Sequence, residues 1–309
     1  MRNAQFILFA LVAAAVTFIA ARLIDNAYVF FAGYVVLQYI VLATAWNILG
    51  GYTGYVNFGT AAFFALGAYT TVVLHKAMPL WPLPAMMLAG GVISGLIGLG
   101  MGYLTLRLRG TFFSIATLAM AVVAQTLITN WNFVGGSRGA YIIRPMDSPI
   151  FTGDYIQYLF LIMLLLSVTS VAVARAIEHS RLGYGFSAIR DDEMAAEASG
   201  VPTLRLKLIA TVLSGGLMGM VGAPLPYYVT YLDPASGFSL SYAVNTIAMP
   251  LIGGTATWLG PVIGAILLGT LQQVAAVTIS SALSLLLVGL LLVGFVIAAP
   301  KGIVGWFKQ

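Results

Sequence analysis

The sequence contains no cysteine, which excludes disulfides, thiolate nucleophiles and cysteine-held zinc or iron–sulfur centres. Its two histidines, His75 and His179, lie far apart, each beside a charged residue, so no histidine-rich metal site is expected. No Gly-Lys pair occurs anywhere. A Walker A loop is therefore absent, and the chain by itself is not expected to hydrolyse ATP. Charge is the scarcest property: 7 % of residues are charged, against roughly 25 % in a soluble domain. The 14 cations and the +5 balance are too thinly spread to form a nucleic-acid face, so no nucleic-acid partner is expected. What fills the 309 residues is apolar, 61 % of them. Such a chain cannot present a water-exposed surface, and it reads as an integral protein of the lipid bilayer.

Residues 3–21, 26–75, 77–106, 110–137, 155–174, 208–232 and 234–300 carry no formal charge. A helix needs about 20 apolar residues to cross roughly 30 Å of hydrocarbon. The first stretch fits one span, the second two, the next four one each, and the last three. Each must be helical, because lipid offers the backbone no partners. The expected segments are 6–24, 28–49, 58–74, 84–106, 111–131, 155–174, 206–228, 241–253, 261–278 and 283–299. The predicted fold is thus an all-α polytopic bundle of about ten transmembrane helices, one transmembrane domain over 1–309. The apolar runs are too long and continuous for a β-barrel. The first run, after Arg2, reads as a span and not a cleaved signal, since Phe18 and Ile19 stand before Ala20 and Ala21 where a small-x-small site would be needed.

Cation placement orients this scheme. With both termini inside and ten crossings, the inner segments hold ten cations: Arg2, Arg107, Arg109, Arg175, Arg181, Arg190, Arg205, Lys207, Lys301 and Lys308. The outer ones hold four: Arg22, Lys76, Arg138 and Arg144. That is the positive-inside pattern.

The largest inner segment is 175–207, with five cations and five acids. Ser187 or Asp191 can cap a helix start there, and the alanines and glutamates that follow favour a helix interior. Gly200 and Pro202 supply the stop. A short helix outside the membrane is expected, with Ile189, Met194, Ala195 and Ala198 as an apolar strip. It is either a solvated connector or a docking helix. On the outer side, Asn130–Asp154 forms a loop whose Gly135, Gly136 and Gly139 permit tight turns, but no strand precedes them and no phosphate loop is formed.

All nine acidic residues fall in loops or at span ends. That counts against a proton-driven carrier or an intramembrane hydrolase, which need ionisable groups inside the bundle. Sodium coupling through carbonyls and hydroxyls stays open. Gly91 and Gly95, Gly98 and Gly102, Gly215 and Gly219, and Gly260 and Gly264 repeat at four-residue spacing, a signature of close helix packing. Two apolar stretches are interrupted, at Asn47–Thr60 and Leu251–Pro261, both after a Gly-Gly pair. They are either broken helices lining a pathway or tight interhelical turns. Asn57, Thr60, Gln125 and Asn245 are candidate pathway polar groups, and each can equally be a helix–helix hydrogen-bonding residue.

The run NILGGYTGYVNFGTAAFFALGAYT at Asn47–Thr70 resembles the signature of M-type (LivM-like) permease subunits of branched-chain amino acid ABC importers. So do LRLRGTFFSIATL at Leu106–Leu118, NWNFVGGSRG at Asn130–Gly139, AIRDDEMAAEASGV at Ala188–Val201 and GGTATWLGPVIGA at Gly253–Ala265. Five such segments in order cover most of the chain. The resemblance implies the ten-helix architecture of a type II ABC importer permease in the bacterial inner membrane, multi-pass with both termini cytoplasmic. It implies no catalytic residue, metal or cofactor in this chain, with ATP and Mg bound by partners. Those partners are a homologous LivH-type permease, two cytoplasmic ATPase subunits and a periplasmic substrate-binding protein. Within 175–207 it implies an ATPase-coupling role for Arg190, Asp191, Asp192, Glu193, Ala196, Glu197 and Gly200. Family members often carry His at the position of Thr60, so the cargo, branched-chain or related small amino acids and amides, can depart from leucine, isoleucine and valine. The competing expectations are a standalone sodium-coupled secondary carrier and a scaffold without transport.

Overall fold

The structure is a computed structural model that describes residues 3–24, 26–108 and 110–278, and beyond these 286, 289–290, 293–294 and 302–306. The described residues are mostly helical: α1 (Asn3–Ile24), α2 (Ala27–Thr53), α3 (Thr60–Ala77), α4 (Leu83–Thr105), α5 (Thr111–Thr129), α6 (Tyr155–Glu178), α7 (Arg181–Asp191), α8 (Glu193–Ala198), α9 (Thr203–Gly222), α10 (Leu225–Val229), α11 (Pro234–Gly237), α12 (Leu240–Gly253), α13 (Leu259–Thr278) and α14 (Gly302–Trp306). A two-residue antiparallel ladder pairs β1 (Ala140–Tyr141) with β2 (Tyr231–Leu232).

Among the described residues, six helical stretches are long and apolar enough to cross a membrane: α2, α4, α5, α6, α13, and α9 continued through α10 as Thr203–Val229. The protein is a multi-pass membrane protein on that ground. The ten crossings expected from charge-free stretches are not matched one for one. Leu8–Ile24 of α1 is a shorter apolar helix. The 18-residue α3 carries His75 and Lys76 in its last turn. The 14-residue α12 carries Pro250 and at about 1.5 Å per residue falls short of the hydrocarbon thickness. The expected segment 283–299 lies outside the described residues for the most part.

The chain folds as two compact units, Met1–Asn47 with Met146–His179 and Asn245–Gln309, and Ile48–Pro145 with Ser180–Val244. In the second unit α3, α4 and α9 pack backbone to backbone. A Cβ on Gly67 would overlap the Gly219 carbonyl, and one on Gly219 would overlap Ser94 and the Gly90 carbonyl. Ser94 Oγ, buried at this crossing, donates to the Phe63 carbonyl at 3.1 Å. A Cβ on Gly91, Gly95 or Gly215 would likewise stand 3.1–3.4 Å from a carbonyl oxygen of the facing helix, which bears out the small-residue reading of these glycines and Gly219, where dispersion between close backbones substitutes for a hydrophobic drive that lipid does not supply.

In the first unit α1 packs along α6, with Phe18 of α1 and Phe30 of α2 both against Phe160. Arg175 lies over the Phe6 ring at 4.3 Å and the Trp258 ring at 5.3 Å, so its cation is met by aromatic faces. Asn245 on α12 donates to Tyr39 Oη at 3.1 Å and accepts from Gln272 Nε2 at 3.0 Å, joining α2, α12 and α13.

Both interrupted stretches are interhelical connections. Gly50 and Gly51 do not break α2, which runs on to Thr53; the buried setting of that turn overrides glycine's weak helix propensity. The chain leaves the helix at Gly54, at φ +78°. In the second stretch α12 ends at Gly253, and Gly254 at φ +117° turns the chain toward α13. Here Gly253 and Gly254 lie so close to Gly260 that a Cβ on Gly253 or Gly260 would overlap opposing backbone. In the loop at 130–154, Gly135, Gly136 and Gly139 all take positive φ in two 3-10 turns before β1, as tight turns require.

Candidate functional site

The charged segment 175–207 is the most structured feature outside the long apolar helices, and it holds two helices where the sequence suggested one. Ser180 caps α7: its Oγ accepts from the amides of Leu182 at 3.2 Å and Gly183 at 3.4 Å. Asp192 caps α8: in an extended conformation, its Oδ1 accepts from the amides of Met194 at 2.9 Å and Ala195 at 3.1 Å. Neither expected cap holds that place. Ser187 lies inside α7 and Asp191 ends it, because Phe186 and Ile189 extend the apolar face backward and are buried together with Gly183. Gly200 does end the segment. At φ +83° it lets its own amide reach Glu197 O and that of Val201 reach Ala196 O, both at 3.0 Å, the left-handed C-terminal turn that glycine favours.

The faces of α7 and α8 divide cleanly. Ile189 and Ala196 are buried, whereas Tyr184, Asp191, Asp192, Met194, Ala195, Glu197 and Ala198 are exposed. The expected strip is therefore split, with Ile189 turned inward and Met194, Ala195 and Ala198 outward. Arg190 pairs with Asp191 at 3.4 Å and its aliphatic stem lies over Gly54; a Cβ there would stand 3.2 Å from Arg190 Cγ.

Glu193 departs from the solvent-facing position expected of a docking residue. Its carboxylate turns inward to Lys207 on α9, with Nζ to Oε1 at 2.8 Å; the lysine side chain is 4 % exposed and the glutamate 14 %. The same ammonium donates to Leu106 O at 3.0 Å and to Tyr55 Oη at 3.1 Å. Tyr55 in turn donates to Glu193 Oε2. Neither Tyr55 nor Lys207 stands out in the sequence as a site residue. Lys207 groups with the loop cations there because it opens an apolar run. The one available signal is its position, a cation that falls inside a helix and not before it.

The candidate pathway residues do not form one cluster. Asn57, Thr60 and Gln125 belong to the second unit and Asn245 to the first. Asn57, buried, accepts the Gly59 amide at 2.7 Å, and fully buried Thr60 directs its hydroxyl to Asn57 O at 3.4 Å. Both thus shape the turn that opens α3. Thr117 Oγ1 of α5 accepts the Phe58 amide in that turn at 3.1 Å. Gln125, further along α5, points its amide at Pro234 O at 3.5 Å. Asn245 serves the helix junction described above.

A cavity of about 930 Å³ in the first unit is lined by α1, α2, α6 and α13. Its walls are residues such as Ala14, Ala21, Val36, Leu164 and Ile266. Thr17, Tyr28, Ser167, Thr270 and Gln273 are the polar members of a lining that is otherwise apolar, so a zwitterionic amino acid would lose most of its hydration there. Among the described residues no group of three His, Asp or Glu side chains is placed to hold a metal ion.

Residues 27–296 match the family described as "Branched-chain amino acid transport system / permease component". The LivM permease protein of the high-affinity branched-chain amino acid transport system of Salmonella typhimurium is 27 % identical over 292 residues, covering 86 % of this chain and 67 % of the relative. Its Escherichia coli counterpart matches to the same extent. A probable branched-chain amino acid transport permease protein LivH of Methanocaldococcus jannaschii is 24 % identical, covering 83 % of this chain and 85 % of the relative. No solved structure matches the chain. With most of its length inside one family and its long apolar helices in place, the chain belongs to the branched-chain amino acid transport permease family.

Proposed function

We propose that this chain is the membrane-spanning permease subunit of an ATP-binding cassette importer that carries branched-chain amino acids, or related small amino acids and amides, into the cytoplasm. The observation that carries this reading is the family match over residues 27–296, and the LivM relatives supply the substrate class. The α7–α8 pair fits an ATPase-docking element: two capped helices present Tyr184, Asp191, Asp192, Met194 and Glu197 outward while their inner faces grip α9 and the loop after α2. The chain performs no hydrolysis. ATP and Mg belong to two partner ATPase subunits, so α7–α8 and both termini lie on the cytoplasmic side of the bacterial inner membrane. A LivH-type permease completes the translocation path, and a periplasmic binding protein delivers the cargo. About ten crossings in a type II importer arrangement remain the architecture that fits the charge-free stretches and the positive-inside bias.

Uptake of labelled leucine by cells with and without the gene tests the reading. Loss of gene-dependent uptake on ATP depletion, with ion gradients clamped, and persistence under an ionophore are expected. Collapse under the ionophore or on sodium removal while ATP is held constant would overturn it in favour of a gradient-driven carrier.

A further inference from the structure

Lys207 is the only charged residue that is buried among the described residues. An ammonium group has three protons, and three acceptors meet them: Glu193 Oε1 at 2.8 Å, Leu106 O at 3.0 Å and Tyr55 Oη at 3.1 Å. Nζ also lies 4.7 Å from the centre of the Tyr55 ring. The phenol then donates to the second carboxylate oxygen of Glu193. Three side chains from three regions of the sequence thus close a ring: lysine to carboxylate, lysine to phenol, phenol to carboxylate.

Stability alone does not account for this arrangement. A buried ion pair is often replaceable by apolar residues at no loss. What the ring supplies is a fixed connection. Glu193 is the first residue of α8, Tyr55 lies in the connection from α2 to α3, Lys207 is in α9 and Leu106 is the C-cap that follows α4. The neighbouring contacts extend the grip. Arg190 of α7 lies on Gly54, and the Tyr55 ring stands edge-on to Phe113 of α5, centroids 5.1 Å apart. At its far end the same connection is held by Thr117 through the Phe58 amide and closes through Asn57 and Gly59 onto the start of α3. The stretch from Gly54 to Thr60 is therefore held by α7 and α8 at one end and leads directly to two buried polar residues, Asn57 and Thr60, at the other.

We propose that Lys207 and Tyr55 are positioning residues that carry movement of α7–α8 into the Gly54–Thr60 connection, so that the docking element moves the start of α3 as well as α9. This rests on the reading of α7–α8 as the ATPase-coupling segment. Without the ring, α8 would act on the apolar helices mainly through its chain continuity with α9, and the α2–α3 connection would keep only the packing of Arg190 on Gly54.

The test uses the complete importer in liposomes, comprising this chain, its partner permease, the ATPase subunits and the binding protein. ATP hydrolysed is counted per labelled leucine imported. Tyr55→Phe removes the bond from the connection to Glu193 and leaves the Lys207–Glu193 pair and the ring's packing on Phe113. The double variant Lys207→Met/Glu193→Gln removes both charges without leaving either unpaired. Both are expected to retain the ATPase subunits on purification and to consume about threefold or more ATP per leucine, the scale of effect for residues within a coupling network. Hydrogen exchange at residues 54–59, with and without Mg-ATP, gives a readout independent of cargo. Nucleotide is expected to change protection there in the wild type and not in Tyr55→Phe. An unchanged ATP-to-leucine ratio, or the same nucleotide-dependent exchange in both proteins, would overturn the positioning role and leave the importer reading intact. A wild-type chain that retains no ATPase subunit would overturn the coupling reading and this proposal with it.

Discussion

Lys207 and Glu193, fourteen positions apart, meet at 2.8 Å with 4 % and 14 % of their side chains exposed. The pair joins the start of α8 to the second turn of α9, and it makes the two residues unequal to substitution. Removing the carboxylate strands a buried cation. Glu193→Ala is therefore expected to destabilise the second unit by about 3–5 kcal/mol, the usual cost of breaking a buried ion pair from one side. Lys207→Met/Glu193→Gln is expected to stay close to wild type. Thermal unfolding of the purified protein in detergent decides it, and equal midpoints for Glu193→Ala and wild type would contradict the geometry.

Gly54 and Gly200 both hold positive φ, at +78° and +83°, but their surroundings differ. A Cβ at Gly200 meets nothing within 4 Å, whereas one at Gly54 stands 3.2 Å from Arg190 Cγ. Gly200→Ala is expected to cost about 1–2 kcal/mol from backbone strain alone. Gly54→Ala should cost more and displace Arg190 as well. The comparison is read from unfolding midpoints together with leucine uptake, where Gly54→Ala should lose the larger share.

Asn245 tests whether a buried polar group in an apolar bundle belongs to the cargo's path or to the scaffold. Its three-residue chain with Tyr39 and Gln272 has the form of interhelical bonding. Asn245→Ala is expected to lower stability by roughly 1 kcal/mol, the scale of such bonds in bilayers, with the KM for leucine unchanged. A raised KM with an unaltered midpoint would reassign it to the path.

Asp233, beside β2 and outside the apolar spans, caps α11. Burial acts to raise its pKa, but bonds from the Ser236 amide and hydroxyl and the Ala235 amide outweigh it and hold the carboxyl below its ordinary value. Because the folded value is the lower one, the stabilisation is complete above the ordinary value of about 3.9. It is lost as pH falls through the depressed folded value. Unfolding of wild type and Asp233→Asn, followed from pH 6 downward, is expected to converge in acid, since asparagine keeps the cap but cannot titrate.

The helices and the charged segment at 175–207 are legible in the sequence because both rest on local rules. Charge-free length marks an apolar helix, and Gly200 followed by Pro202 marks an end. The ring around Lys207 rests on contacts across 14 and 152 positions, and no periodicity connects Tyr55 to α8. The caps mislead for a related reason. Ser187 and Ser180 are both plausible N-caps as isolated residues, and the choice falls to Ser180 because burial of Phe186 and Ile189 makes the preceding turn helical. Gly50 and Gly51 suggest a break that enclosure by neighbours suppresses. Asn57 and Thr60 are indeed buried polar residues, but their bonds serve the turn before α3, a use that only the folded connection reveals.

The junction between α12 and α13 has a consequence for how this sequence can drift. Gly253, Gly260 and Gly264 each face opposing backbone where a methyl group would sit, while Gly100 on α4 has open space. All four are glycines in an apolar chain and look interchangeable in the string of letters. At Gly100 almost any small residue is admissible. At the other three a single added carbon would have to push the facing helices away from each other along the whole contact. A side chain at any of the three would need a compensating retreat of the backbone it faces, so the junction is a fixed seam within the first unit.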